Sequence, residues 1–225
     1  MIVKNTEDVS TLYLKILAYG AAGSGKTRMC ATTNGKTLII SAEAGLLSLA
    51  GQDVDYVEVK TMEDLRDVYN TLLTDTKYSW ICLDSISEIA EVVLVEEKKK
   101  TLDGRKAYSG LNDFMMVIIR NFRDLPKNIY FTAKMAKEKD ETTGGLIYTP
   151  SMPGNKLSQA LPFLFDLIVC FHNWKDEQGI EQSALQTRKD AQHEAKDRSG
   201  KLDMAEKPNL TTIYNKIFNQ QPKGE

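Results

Sequence analysis

The chain reads as an α/β protein with a mainly parallel, twisted sheet covered by helices on both faces. Three observations predict this. Strand-like apolar runs recur at residues 12–19, 37–41, 54–59, 79–83, 129–133 and 165–171. Helical stripes lie between several of them, and strands alternating with helices imply right-handed crossovers and parallel pairing. The first apolar run leads straight into Gly20-Ala21-Ala22-Gly23-Ser24-Gly25-Lys26-Thr27, the pattern G-x-x-x-x-G-K-[ST], which belongs at a strand-to-helix junction.

Leu12–Tyr19 is apolar at most positions, as a buried strand requires. Thr27–Ala31 has neither Gly nor Pro and can open a helix. Thr37–Ser41 and Val54–Val59 are the next strands. Thr61 and Asp64 have the spacing of a capping box, and Leu65, Val68, Tyr69 and Leu72 follow on one helical face. The strand Ser79–Leu83 precedes two further stripes: Ile86, Ile89, Ala90, Val93 and Leu94, then Leu111, Phe114, Met115, Ile118 and Phe122. Ile129–Ala133 is the next strand, and Met135–Leu157 reads as a long, polar, glycine-bearing loop. After the strand Phe165–Phe171 the pattern changes. Trp174–Gly179 reads as a hairpin turn and Gln182–Thr187 as a polar strand. Leu210, Ile213, Tyr214 and Ile217 make an amphipathic closing helix capped by Asn209, and residues 219–225 fray. The expectation is one domain over 1–225: a core of about 12–174 and a C-terminal hairpin and helix extension of about 175–219.

Hydrophobic residues at 42% and charged ones at 27% suit a globular protein with an ordinary core. No apolar run reaches the length of a membrane span, and Met1–Asp8 lacks the apolar centre of a signal peptide. A cytoplasmic protein with no membrane partner is therefore expected. Cys30, Cys82 and Cys170 are odd in number, widely spaced and form no C-x-x-C, which predicts reduced core thiols and neither a metal site nor a disulfide. A net charge of −2 and a pI of about 5.8 exclude a general attraction to phosphate, so nucleic acid would need local basic segments.

The chemistry concentrates at residues 20–28. Gly20, Gly23 and Gly25 allow tight turns, so that their N–H groups and those of Ala21, Ala22 and Ser24 aim at a phosphate. The helix start around Thr27 and Arg28 adds partial positive charge beneath the anion. Lys26 reaches the β- and γ-phosphates, and the Thr27 hydroxyl ligates Mg²⁺. The segment predicts binding of a nucleoside triphosphate, taken as ATP, with Mg²⁺.

A metal bound there needs a second oxygen ligand or water holder. Trp80-Ile81-Cys82-Leu83 is an apolar strand ending in Asp84, and an acid at the carboxyl end of a parallel strand faces the ligand. Asp84 or Ser85 also suits a helix N-cap, which is compatible. No Glu follows Asp84, so the carboxylate that activates water comes from elsewhere. Glu43, just past the strand Thr37–Ser41, is the first candidate. Glu88 is the rival, one turn into a helix, where a solvated acid is the plainer reading. Lys134 ends the strand Ile129–Ala133 and reads equally as a γ-phosphate sensor or a solvated strand end. Lys196 and Arg198 project from one face of an extended segment, where they could clamp a phosphoryl group or form an ordinary charged loop.

In this order the parts resemble the RecA-type branch of P-loop ATPases: Gly20–Thr27, then Ser41-Ala42-Glu43, then Leu83-Asp84-Ser85, then a strand ending at Lys134. The resemblance spans about residues 12–200. It implies a RecA-like core whose catalytic Glu lies on the strand after the phosphate loop, here Glu43. Lys196-Asp197-Arg198 is similar to the Lys-x-Arg pair that hexameric RecA-type helicases insert into a neighbour's site. That implies self-association into a ring or filament with active sites at subunit junctions. At this size the chain resembles the small phage RecA-like single-strand annealing proteins of the Sak type. The likeness implies DNA-stimulated ATP hydrolysis, single-stranded DNA binding, annealing and recombination, with a single-strand binding protein as a further partner. One departure stands: RecA recombinases commonly carry Gln near the position of Lys134.

Two segments follow the RecA pattern for DNA contact. Lys98, Lys99, Lys100, Arg105 and Lys106 set five cations against Asp103, and Tyr108 offers a ring that can stack on a base. A solvated helix end is the alternative there. The second segment is Met135–Leu157, with Lys137, Lys139, Thr142, Thr143 and Lys156. Two rival functions stay open: a small-molecule or nucleoside kinase, and a slow nucleotide-gated assembly factor.

Overall fold

The computed structural model describes residues 13–43, 45–139 and 144–218. Leu12, Thr142, Thr143, the start of the chain and the segment 219–225 lie outside these. Six parallel strands make the frame. β1 (Lys15–Gly20) lies between β5 (Asn128–Lys139) and β7 (Leu167–Lys175), and β4 (Trp80–Asp84), β2 (Thr37–Ser41) and β3 (Asp55–Glu58) continue beyond β5. Past β7 the sheet turns antiparallel, with β8 (Glu181–Gln186) on β7 and β10 (Ala205–Glu206) on β8. Two short additions complete it: β6 (Leu146–Pro150) on β5 and β9 (Lys196–Asp197) on β7.

β4 is buried at all five positions and β1 at all but its first. Such continuous apolar runs need cover on both faces. One face packs Leu17, Ile40, Leu83 and Phe131 against α2 (Met62–Leu72), α3 (Ile86–Lys100), α4 (Gly104–Asp124) and α5 (Asn155–Leu164). The other packs Ile16, Ile39, Cys82 and Tyr130 against α1 (Lys26–Met29), the 3-10 turn Leu46–Leu49 and α6 (Leu210–Phe218). Both expected caps form. Thr61 and Asp64 make a reciprocal capping box, and Asn209 Oδ1 accepts from the Thr212 N–H at 2.9 Å. No helix among the described residues is long and apolar enough to cross a membrane.

Three expectations need correction. The segment Met135–Leu157 is not a loop: β5 runs on to Lys139 and pairs with β6 from Met135↔Pro150 to Lys139↔Leu146, and α5 opens at Asn155. The two strands satisfy each other's backbone, and Met135, Tyr148 and Pro150 turn toward the protein, while the outer half of β5 (Lys137–Lys139) is exposed and reads as polar. Lys98–Lys100 form the last turn of α3, and Arg105, Lys106 and Tyr108 open α4, so the first basic segment is a helical corner and not a loop. β7 extends through Trp174 to Lys175, and the hairpin turns later, where Asp176 Oδ1 accepts from the N–H groups of Gln178 and Ile180.

Candidate nucleotide site

β1 ends at Gly20, and the loop 21–25 carries the chain into α1. Gly20 has no room for a side chain, because a Cβ there would meet Phe171 Cβ and Ser24 Oγ at 2.8 Å. Gly23 and Gly25 hold φ of 74° and 102°, where other residues are strained. Lys26 folds over the loop, its Nζ donating to the carbonyls of Gly20 (2.9 Å) and Ala21 (2.8 Å). Burial lowers the pKa of this amine, against the pull of the Asp84 and Glu43 charges. Outside residues brace the loop: the Tyr130 hydroxyl donates to the Lys26 carbonyl (3.0 Å) and Asn173 Nδ2 to that of Ser24 (3.4 Å). Arg28 is exposed on α1.

Fifty-seven residues separate Thr27 from Asp84, yet Thr27 Oγ1 donates to Asp84 Oδ2 at 2.6 Å. The strand order explains it. β5 stands between the loop strand β1 and the acid strand β4, and from it the buried Thr132 hydroxyl donates to the other oxygen, Asp84 Oδ1. A hydroxyl and a carboxylate meeting beside a glycine cradle are the hard oxygen donors that Mg²⁺ takes, and the cradle's spare N–H groups suit phosphate. The residues present fit an Mg²⁺-nucleotide.

Glu43 follows β2, and its Oε1 accepts from Ser85 Oγ at 2.9 Å. Ser41 Oγ donates to the Glu43 carbonyl, fixing the turn. Ser85 also caps α3, accepting from the Glu88 N–H. Lys134 completes this corner. Its Nζ pairs with Glu88 Oε2 and lies 3.9 Å from Glu43 Oε1, and the Glu88 bond raises its pKa. A cavity of about 930 Å³ joins the loop to Glu43, Asp84, Ser85 and Lys134, with Phe171, Asn173 and Gln182 of the C-terminal hairpin also lining it. Glu88 lines a separate groove between α2 and α3.

Lys196 and Arg198 stand elsewhere. β9 pairs with Leu167 and Ile168, which are level with Ile16 and Leu17, so the two cations lie toward the amino ends of the strands. Counted along the sheet they are about 10–16 Å from the level of Gly20. Lys196 Nζ donates to the Pro162 carbonyl, and Arg198 to the Phe163 carbonyl and Asp166 Oδ1 (3.1 Å). They close the last carbonyls of α5 and are not part of their own chain's phosphate site. The basic corner keeps the other side. Lys100 Nζ rests on Met62 Sδ at 3.9 Å, Lys98 lies over the Tyr108 ring, and that ring packs against Gly154. Met62 opens α2 just after β3 and Gly154 follows β6, so the corner rises on the phosphate-loop side of the sheet. Lys137 and Lys139 are exposed on the β5–β6 ribbon.

Thr132, Tyr130, Phe171 and Asn173 escaped the sequence reading, as did Ser85 as the partner of Glu43. For the first two a signal existed: they are the polar tips in an otherwise apolar run, Ile129–Ala133.

A site of this construction, at the carboxyl ends of a parallel sheet, is that of the P-loop nucleoside triphosphatases. Residues 12–199 match the AAA domain family, and the chain belongs to it. It is thereby a nucleotide-binding ATPase of the AAA class. No curated protein matched the sequence.

Proposed function

We propose that this ATPase acts on single-stranded DNA, promoting annealing and recombination as the small phage annealing proteins it resembles do, in assemblies whose sites form between copies. The observation that carries this reading is the course of α3. The helix starts at Ser85, whose hydroxyl holds Glu43, and ends in the basic corner Lys98–Lys100 beside Arg105, Lys106 and Tyr108. One rigid element thus joins the water-activating corner to a patch suited to phosphates and bases.

In the cycle, the loop N–H groups bind the triphosphate and Lys26 exchanges its carbonyl partners for phosphate oxygens. Thr27 and Asp84 would hold Mg²⁺, which neutralises charge on the phosphates. Glu43, oriented by Ser85, takes a proton from the attacking water, while Lys134 reports on the γ-phosphate through its pairs with Glu43 and Glu88. Self-association would carry Lys196 and Arg198 of one copy to the carboxyl edge of the next.

Turnover with and without DNA tests the reading. Single-stranded DNA should stimulate hydrolysis, and binding should weaken with salt. Neutralising the five cations of the corner should flatten the slope of log K against log salt by about one for each phosphate they engage. Phosphate transfer to a small acceptor without DNA stimulation would make the protein a kinase. Slow hydrolysis indifferent to DNA would make it an assembly factor.

A further inference from the structure

The chain has only two histidines, and both meet the same cysteine. Cys170 and His172 are two residues apart on β7, hence on one face of that strand. His193 arrives from the segment between β8 and β9. One ligand atom from each lies within 4.8 Å of the others. Each ring has one nitrogen already engaged: His172 Nε2 with Gln186 Oε1 at 2.8 Å, and His193 Nδ1 with Asp190 Oδ1 at 3.2 Å. That leaves Nδ1 of His172 and Nε2 of His193 for a ligand, with outer acceptors of the kind that orient metal-bound imidazoles. His193 also stacks on Tyr148 and meets His172 edge-on, centroids 4.9 and 4.6 Å away.

We infer that Cys170, His172 and His193 form a site for a divalent transition-metal ion of the zinc type. A thiolate with two imidazoles is a borderline-soft donor set that selects such an ion over Mg²⁺, which keeps to the oxygens of Thr27 and Asp84. Bonds of about 2.3 Å to sulfur and about 2.0–2.1 Å to nitrogen put tetrahedral donors about 3.5 Å apart, so donors that lie within 4.8 Å of one another would draw together on binding. The Cys170 thiol gives its proton to solvent on binding, and water is the fourth ligand. The ion ties β7 to the segment 187–195. That segment is stitched to β6 by Tyr148 N–H to the Gln192 carbonyl (2.6 Å) and Glu194 N–H to the Tyr148 carbonyl (3.1 Å). The Tyr19 hydroxyl, next to the phosphate loop, donates to the carbonyls of Tyr148 and Glu194. The metal therefore pins the C-terminal extension and the β5–β6 ribbon beside the end of β1. Cys170 is the free, buried thiol that the sequence predicts, and the proposed site would add a metal-binding role to it.

Chelator-stripped full-length protein titrated with Co²⁺ tests this directly. The expected result is uptake of about one equivalent, with a thiolate-to-cobalt charge-transfer band and tetrahedral d–d bands that Zn²⁺ displaces. Cys170→Ser should lose the charge-transfer band, and Asp190→Asn should weaken binding about 10–100-fold. Zn²⁺ should raise the melting temperature of the wild type and not that of His193→Gln. Should Cys170→Ser fail to fold, His193→Gln carries the test alone, because its ring is partly exposed and outside the core. A folded wild type that takes up no stoichiometric Co²⁺, or a band unchanged in Cys170→Ser or His193→Gln, would overturn the site.

Discussion

Thr132→Val removes one hydroxyl and keeps the shape of the side chain. Thr132 is fully buried on β5, and its Oγ1 donates to Asp84 Oδ1 while Thr27 donates to Oδ2. If Thr27 turns to Mg²⁺ as proposed, the Thr132 bond to Asp84 Oδ1 still holds the carboxylate in place. Loss of a hydrogen bond to a charged acceptor costs about 1.5–3 kcal/mol. At 2–4 °C per kcal/mol for a chain of about this size, melting should fall by about 3–12 °C. Losing the outer group that aims a metal-binding carboxylate should raise the Mg²⁺ needed for half-maximal hydrolysis by about 10–100-fold. Thr132→Ser keeps the hydroxyl, so it should keep the wild-type Mg²⁺ dependence while losing a little stability for the missing methyl. The assay is ATP turnover against Mg²⁺ concentration, run beside thermal melts. A folded Val variant with wild-type Mg²⁺ dependence would refute the reasoning, as would a Ser variant that loses as much as Val.

With Glu43 as the base, Glu43→Gln should bind ATP yet slow single-turnover hydrolysis by about two to four orders of magnitude, and Glu88→Gln should change little. The reverse ranking would move the role to Glu88. Arg198→Ala breaks an ion pair whose partners are each about half exposed, 52% and 48%, so stability should change by no more than about 1 kcal/mol. Its turnover should nevertheless collapse, and co-assembly with Lys26→Ala should restore part of it. A mixed assembly that stays inactive leaves Arg198 as a cap on α5. Burial lowers Lys15 to a pKa of about 8 from 10.5, so the folded chain releases this proton before the unfolded chain does. Stability of the wild type relative to Lys15→Met should therefore be constant below about pH 8 and rise from there to about 10.5. Denaturant midpoints across pH 7–11 would expose a flat difference, which contradicts the shift.

Much of the frame was legible because it depends on near neighbours. Apolar runs and helical stripes marked β1 to β4 and α2 to α4. Thr61 with Asp64 and Asn209 with Thr212 cap their helices over three residues. What stayed hidden was polar structure lacking periodicity, above all the outer half of β5 in the β5–β6 ribbon, where Lys137 and Lys139 read as loop residues.

The phosphate loop was determined by the sequence alone, since Gly20–Thr27 is contiguous and its glycines carry their backbone geometry with them. So was the placing of Asp84 and Glu43 at strand ends, because strand direction follows from the alternation with helices. Only the tertiary structure decided which strand lies beside which. The insertion of β5 between β1 and β4 delivers Thr132 to Asp84, and the return of the chain along β9 puts Lys196 and Arg198 far from Gly20. The same packing gathers Cys170, His172 and His193 from either side of a hairpin. Contacts across such distances depend on how buried faces pair in space, and no local spacing encodes that pairing.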